Sequence, residues 1–479
     1  MQKQLRKKEI SPFIWGFSTV GLCAILILAS PSAEAQANQD RYTSVIQQIF
    51  AFIQRHYVEE IDPKLLYEGA MKGMFEAIGD PYSVFLSEAE MTDLTDTTKG
   101  NFGGVGLYIS KQVVKDNAPS FVEVAAPIED TPGWRAGILP NDLIVKIGDE
   151  STDVLTMNDV LDRLRGRPGT KVNITVRRGK TLEFPVDLER AIIEVPTAKH
   201  AMIEDIGYLK LITFTPMTAQ RARDAIAEFK DKNYKALILD LRNNYGGLLN
   251  AAVDVCDMFL DGGVIVSTKS RLPGENIVYN AQKGALVSPN IPVITLINQG
   301  SASASEIVSG SLKDRGRSYL IGEKSYGKGS VQQVFPLVND GFKITVARYY
   351  TPSDVNIDKI GIPPDKEVKF PEFTEEDAKK LQKLLESNEI RDYIETHAAL
   401  NNNEITAFAE ALNEKYELDT TLLKRLIRDE QNRTKIAPIF DLEYDIQLQE
   451  AVKILKDGSY SQIMRETKTL KQLQNEAAD

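Results

Sequence analysis

Two apolar runs, ALILDLR at 236–242 and VITLINQ at 293–299, each end in a turn of small and polar residues and then enter a helical pattern. This restricts the fold more than any other feature. Both runs read as buried strands, and between residues 195 and 370 strands and helices keep alternating: IGYLKLITF, the amphipathic AQRARDAIAEFK, the two runs, then YLIGE, VFPLV and FKITVARYYT. Such alternation predicts an α/β domain. The two turns, DLRNNYGG and NQGSASASE, then sit at strand-to-helix junctions. Small residues there let a substrate carbonyl approach the backbone closely. The first N–H groups of the following helix have no intrahelical partner and lie at the positive end of its dipole. That is the chemistry of an oxyanion hole.

A serine in such a turn becomes a nucleophile only when a base takes its proton, and otherwise serves as a helix cap. Histidine is the usual base. The chain has three, His56, His200 and His397, and none lies in these turns. Lys328, in Tyr326-Gly327-Lys328-Gly329-Ser330, is the remaining candidate. Burial disfavours the ammonium form and lowers a lysine pKa, so a neutral amine becomes available as a base. The segment is not a phosphate-binding loop, because GxxxxGK[ST] is not matched.

The regions around this domain differ in pattern. Residues 1–35 hold a basic start, MQKQLRKK, an apolar run and the small-x-small signal Ala33-Glu34-Ala35, which together predict an exported chain. The segment is a signal peptide or, given its apolar length, a membrane anchor. Leu22 before Cys23 is too large for a lipoprotein signal. The protein is expected in the periplasm or otherwise outside the cytoplasmic membrane. Removing the leader leaves Cys256 alone, within AAVDVCDMFL, so no internal disulfide is expected and the cysteine reads as core. Residues 41–95 read as helical, with Val45, Ile46, Ile49, Phe50, Ile53 and Tyr57 at three- and four-residue spacing, and Asp80-Pro81 ends a second helix. Residues 97–190 read as short strands with glycine turns. Residues 373–479 carry charged helical patterns whose apolar stripes need burial on the protease domain or on a second copy. The formal net charge of -11 argues against a nucleic-acid partner. No CxxC, HExxH or histidine cluster occurs, so no metal and no cofactor are expected.

The order of motifs then carries a resemblance. GVGL at 104–107 with AGILPNDLIVKIGDE resembles a PDZ domain of the bacterial protease kind. DLRNNYGG, GSASASE and SYGKGSVQQ resemble, in that order, the C-terminal processing peptidases, also called tail-specific proteases. The similarity runs from about residue 41 to 370. It implies a multidomain α+β fold: an N-terminal helical region, a β-rich PDZ domain, an α/β crotonase- or Clp-like serine protease core and a C-terminal helical region. It implies Ser303 as nucleophile, Lys328 as base and Gln332 as the group that steadies the lysine. The backbone N–H groups of Ala304 and Gly247 become the oxyanion donors. Gly104, Val105, Gly106 and Leu107 become the loop that grips a peptide carboxylate. Asp314 and Arg242 are implied as structural supports, and Arg165 as a candidate bridge between PDZ and protease domains. Tyr245 stands where the pattern has proline. The expected partners are polypeptides with accessible C-terminal ends, with room for an adaptor protein and a homo-oligomer. A catalytically inactive PDZ scaffold is the alternative, although Ser303 and Lys328 are both present. An acyl-CoA enzyme would leave the leader and the PDZ segment unexplained.

Overall fold

The computed structural model describes residues 33–111, 120–128, 130–179, 181–371, 373–397, 400–433 and 438–477. The leader read at 1–35 lies outside them apart from its last three residues. The chain divides into two compact units, residues 1–74 and 75–479. In the first, α1 spans Ala33–His56 and α2 spans Pro63–Glu76, continuing into the second unit. Asp62 caps α2 by accepting from the Lys64 N–H, with Pro63 at the first helical position, where a missing N–H costs nothing.

The second unit opens with a departure from the helical reading of 41–95. After α2 a turn at Asp80–Ser83 leads into β1 (Val84–Leu86), which pairs antiparallel with Gly341–Lys343. Phe85 and Leu86 are buried there. So short a run between the Asp80-Pro81 helix stop and the Ser87–Glu90 cap of the next helix cannot nucleate a helix, and a strand edge satisfies its backbone instead. Helix α3 (Glu88–Lys99) follows.

The β-rich domain is entered and left through one antiparallel ribbon, β2 (Asn101–Gly104) against β9 (Ala191–Glu194). Between them lie β3 (Leu107–Lys111), β4 (Val122–Pro127), the short α4 (Pro132–Arg135), β5 (Leu143–Ile147), β6 (Glu150–Ser151), α5 (Met157–Leu164), β7 (Lys171–Arg178) and β8 (Leu182–Glu189). The sheet order is β3-β4-β5-β7-β8, so β3 is an edge strand. In KVNITVRR, Val172, Ile174 and Val176 turn inward while Lys171 and Asn173 face water, as strand period two requires. Helix α5 starts on a reciprocal cap between Thr156 and Asp159 and buries Val160 and Leu164 against this core.

The α/β domain is built on β10 (Ala198–Ile203), β11 (Ile206–Leu211), α6 (Thr218–Asp231), β12 (Ala236–Asp240), α7 (Leu249–Asp257), β13 (Gly263–Ser270), β14 (Ile277–Ala281), β15 (Val293–Ile297), α8 (Ala304–Asp314) and β16 (Tyr319–Gly322). Then come β17 (Ser330–Pro336), β18 (Gly341–Tyr350) and β19 (Lys366–Glu367). One sheet runs β10-β11-β12-β15-β16-β19, parallel from β11 onward. The continuous apolar runs now have their reason. Leu237 and Leu239 enter one core with α6, α7 and α8, whereas Ala236 and Ile238 enter another on the opposite face. Truncating Leu239 to alanine there would cost about 2–5 kcal/mol. Cys256 is fully buried, and burial pushes its thiol up to about 12, so it is inert core. The second sheet, β1-β18-β13-β14 with β17 on β18, is antiparallel. Because β17 begins at Ser330, Gln332 lies on a strand rather than in the loop expected for SYGKGSVQQ.

The C-terminal helices are α9 (Glu375–Glu386), α10 (Glu389–Thr396), α11 (Asn402–Tyr416), α12 (Thr420–Gln431), α13 (Ile446–Lys456), α14 (Tyr460–Glu466) and α15 (Leu470–Glu476). Their apolar stripes are buried within the chain. Helices α9 to α12 form their own core around Leu384, Phe408, Leu412, Leu423 and Ile427. Leu448, Ala451 and Ile454 of α13 cover the outer face of the parallel sheet. The end of α12 also reaches the β-rich domain, where Arg433 donates to Glu123 at 2.9 Å and to Asn141 at 2.5 Å.

Candidate active site

The two glycine- and serine-rich turns follow β12 and β15, adjacent parallel strands, so they meet at one end of the sheet. Asn243 and Asn298 exchange hydrogen bonds between them, each at 2.9 Å. The Asn244 carbonyl accepts from the Ala302 N–H at 3.0 Å and from the Ser305 hydroxyl at 2.7 Å. The approach is closest at Gly246, with φ +101°, where a Cβ would stand 2.7 Å from the Ala302 oxygen and 2.8 Å from the Ser303 Cβ. At Gly247, with φ +140°, a Cβ would lie 2.1 Å from the Phe214 oxygen. Glycine is required at both. The Gly246 N–H is spent on the Asn244 side chain at 2.9 Å. The N–H groups of Gly247 and Ala304 donate to nothing among the described residues. Two free donors therefore border Ser303.

Ser303 itself sits at φ +56°, ψ −114°, a conformation costing a non-glycine residue about 1–3 kcal/mol. It stands at the N-terminus of α8, half-buried. Its surroundings hold it there through Glu306, which is fully buried. That carboxylate accepts from the Ser303 N–H (2.8 Å), the Ser325 hydroxyl (2.5 Å), the Gly327 N–H (2.6 Å) and the Lys328 N–H (2.8 Å). Burial raises its pKa against the pull of these four donors. One buried carboxylate thus fixes the backbone of Ser303 and Lys328 relative to each other. Buried Tyr349 adds a second tie: its hydroxyl donates to the Lys328 carbonyl and, its one proton so used, can only accept from the neighbouring Ser303 hydroxyl. Burial, with the Glu306 charge next, pushes that phenol well above its ordinary pKa, so it stays a neutral donor.

The Lys328 side chain reaches the face of Tyr82, with Nζ 4.7 Å from the ring centroid. Its ammonium has no hydrogen bond or ion pair among the described residues. Burial lowers its pKa and nearby Lys343 lowers it further, while Glu306 and Asp80 oppose both. Gln332 donates from Nε2 to the Ser330 hydroxyl at 2.9 Å and to the Thr345 hydroxyl at 3.2 Å. Thr345 in turn donates to Asp80 at 2.6 Å, and its N–H bonds the Ser83 hydroxyl at 3.0 Å.

In the β-rich domain, the Val105 carbonyl accepts from the Gly133 N–H and the Gly106 carbonyl from the Ile128 N–H and the Thr131 hydroxyl. Those contacts leave the N–H groups of Val105 and Gly106 without an acceptor among the described residues. Gly106 has φ +75°, and a Cβ there would meet the Thr131 side chain at 2.2 Å. Gly104 belongs to the β2–β9 ribbon, and Leu107 begins the edge strand β3.

Three family descriptions match: "Peptidase family S41" over residues 205–368, "PDZ domain" over 123–178 and "Activating protease CtpB N-terminal domain" over 27–90. A carboxy-terminal-processing protease of Bartonella bacilliformis is 39% identical over 370 residues, 76% of this chain and 83% of that one. The carboxy-terminal processing proteases CtpA and CtpB of Bacillus subtilis are 32% and 30% identical, covering 67% and 71% of this chain and 68% and 71% of their own. The chain belongs to peptidase family S41. It is a serine peptidase with a PDZ domain and helical regions on either side of the two domains.

In this S41 peptidase the three histidines are engaged elsewhere or lie in the first unit: His200 bonds Glu228 at 2.8 Å, and His397 stacks on Tyr393. Arg242, buried, ties Asp240, Asp445 and Gln447 beside the DLRNNYGG turn. Burial alone would raise the Asp240 pKa, but Arg242 brings it below its ordinary value. Asp314 accepts from the Ser353 N–H and hydroxyl and from the Leu470 N–H, anchoring the far end of α8. Arg165 stacks over Phe102 of the ribbon at 5.3 Å. Tyr245 is 77% exposed, so replacing proline leaves the turn intact through Asn244. Residue-by-residue reading missed Glu306, Tyr349, Thr345, Asp80, Tyr82 and Ser83. Only Glu306 had a visible signal, the S-x-x-E spacing from Ser303; Asp80-Pro81 read merely as a helix stop.

Proposed function

We propose that this S41 peptidase is exported and cleaves polypeptides through a Ser303–Lys328 dyad assisted by Gln332. The observation that carries the reading is the shared Glu306 clamp, which joins the backbones of Ser303 and Lys328 in one hydrogen-bond set. A polypeptide end adds to the edge of β3 with its carboxylate on the Gly104–Leu107 loop, using the unspent N–H groups of Val105 and Gly106. The Lys328 side chain leaves the Tyr82 face for the Ser303 hydroxyl, and its neutral amine takes the proton as Ser303 Oγ attacks the scissile carbonyl. The oxyanion is held by the N–H groups of Ala304 and Gly247, a donor of this kind being worth ~3 kcal/mol. Lys328 then protonates the leaving amine, and water releases the acyl group from Ser303.

Peptide binding on the PDZ domain shifts the population from the Lys328–Tyr82 arrangement toward Lys328–Ser303, a coupling of about 1–3 kcal/mol. The clients are envelope proteins reached outside the cytoplasmic membrane, with an adaptor delivering some of them. A homo-oligomer remains part of the proposal, although the C-terminal stripes, buried within the chain, give it no support. The test is degradation of an unfolded protein by the purified chain beside Ser303→Ala and Lys328→Ala. Both variants should fold, by circular dichroism, and neither should cleave. Cleavage surviving in Lys328→Ala would refute the dyad.

A further inference from the structure

The turn Asp80–Ser83 lies outside the peptidase match at 205–368, yet three of its four residues reach the site. Asp80 Oδ2 accepts from the Ser83 hydroxyl and the Thr345 hydroxyl, each at 2.6 Å, and Oδ1 accepts from the Tyr82 N–H at 3.0 Å. The Tyr82 ring covers the Lys328 ammonium. Thr345 stands opposite Gln332 across the β17–β18 ladder, at the bulge that follows Val331. Lys343 lies two residues before Thr345 and so on the same face of β18. The Lys328 ammonium over Tyr82 is thus beside the turn that holds Asp80, and Lys343 and Asp80 both act electrostatically on it.

A threonine hydroxyl has a single proton, and here it goes to Asp80. Toward Gln332 the Thr345 oxygen can then only accept, so the Gln332 group facing it must be the NH2. The Ser330 hydroxyl takes the second N–H. Both donors of the amide are consumed, and its carbonyl oxygen is left as an acceptor for an ammonium. Without Asp80, Thr345 could donate instead, the amide would turn over, and its NH2 would face the cation. We propose that Asp80 and Thr345 are positioning residues: through them the Asp80–Ser83 turn orients the Gln332 amide toward Lys328, while Tyr82 supplies the face on which the ammonium rests. The proposal rests on the Ser303–Lys328 reading.

The groups facing Lys328 fix the sign of a pH test. They are Asp80 and Tyr82 of the turn, Glu306 of α8, and Lys343 and Tyr349 of β18, with Tyr326 and Asp358 beside Tyr82. Asp80→Asn removes a negative charge that favours the ammonium. The neutral base then forms at lower pH, so the acid limb of activity moves down. Mere loosening of the site would hydrate the lysine and move the limb up, toward the ordinary lysine value.

The experiment measures kcat and KM of the full chain on a denatured fluorogenic protein, across pH, for Asp80→Asn, Thr345→Val, Thr345→Ser, Gln332→Ala and the Thr345→Val/Gln332→Ala pair. Thr345→Val should lower kcat about tenfold with KM unchanged, and Thr345→Ser should recover most of it. The double variant should lose no more than Gln332→Ala alone, because both changes break one chain of contacts. A double loss equal to the product of the single losses, or an acid limb that rises in Asp80→Asn, overturns the proposal. Ser303→Ala and Lys328→Ala run alongside separate the two failures. If they still cleave, the dyad reading has failed; if they are dead while every Thr345 and Asp80 variant matches the unmutated chain, only the positioning role has.

Discussion

The two halves of the proposed active site are held in different ways. The acyl half, Ser303 with the Gly247 and Ala304 amides, is fixed by backbone: two turns at the end of adjacent parallel strands, locked together by Asn243, Asn244 and Asn298. The base half is fixed by side chains: Lys328 lies against Tyr82, and Gln332 hangs from Ser330 and Thr345 on an antiparallel pair. Backbone-held donors need no reorganisation when charge develops, which suits an oxyanion hole. A long lysine side chain on an aromatic face can be withheld or delivered by a modest change in its neighbours. Glu306 is the element common to both halves.

That contrast can be broken from the largest effect downward. Ser303→Ala should lower kcat by at least ~10³-fold, and Lys328→Ala by a similar factor, in peptide hydrolysis at fixed substrate. Gly247→Ala attacks the backbone-held half. Its Cβ would run into the Phe214 carbonyl, so the donor shifts and kcat should fall about 10²–10³-fold. Glu306→Gln strikes the common element. The amide can accept at only one oxygen, leaving donors that now face an NH2, so the chain should lose about 1–3 kcal/mol of stability in denaturant melts as well as activity. Gly106→Val should be the mildest for chemistry. It closes the peptide loop against Thr131, raising KM about tenfold for a long substrate with a free C-terminus while the turnover of a short peptide stays unchanged.

How much of this was legible in the sequence follows the same division. ALILDLR and VITLINQ gave away the buried strands because both faces of each are covered, and their turns announced themselves through glycine and serine. The turns themselves suggested an oxyanion hole, while the choice of the Ala304 and Gly247 amides came from the resemblance; the structure leaves both N–H groups free of protein acceptors among the described residues. In the base half Lys328 was legible from its glycine-flanked loop and Gln332 through the resemblance, but their supports were not. Thr345, Tyr349 and Asp80 reach Lys328 and Gln332 only through pairing of strands and turns far apart in the chain, and no local spacing marks them. The strand β1 was missed in the same way: a three-residue run has no periodicity to read, and only the open edge of β18 makes it a strand. The strained φ of Ser303 was equally invisible, because helix-cap serines ordinarily adopt extended angles.

The most direct measurement is the pH dependence of single-turnover acylation at Ser303 by a fluorogenic peptide, in the unmutated chain and in Lys328→Ala. With neutral Lys328 as the proposed base, the rate should rise with pH through one titration whose midpoint lies below the ordinary lysine value, since burial depresses it. In Lys328→Ala that titration should vanish along with most of the rate. An acylation rate that keeps the same titration without Lys328 would contradict the account and assign the proton to another group.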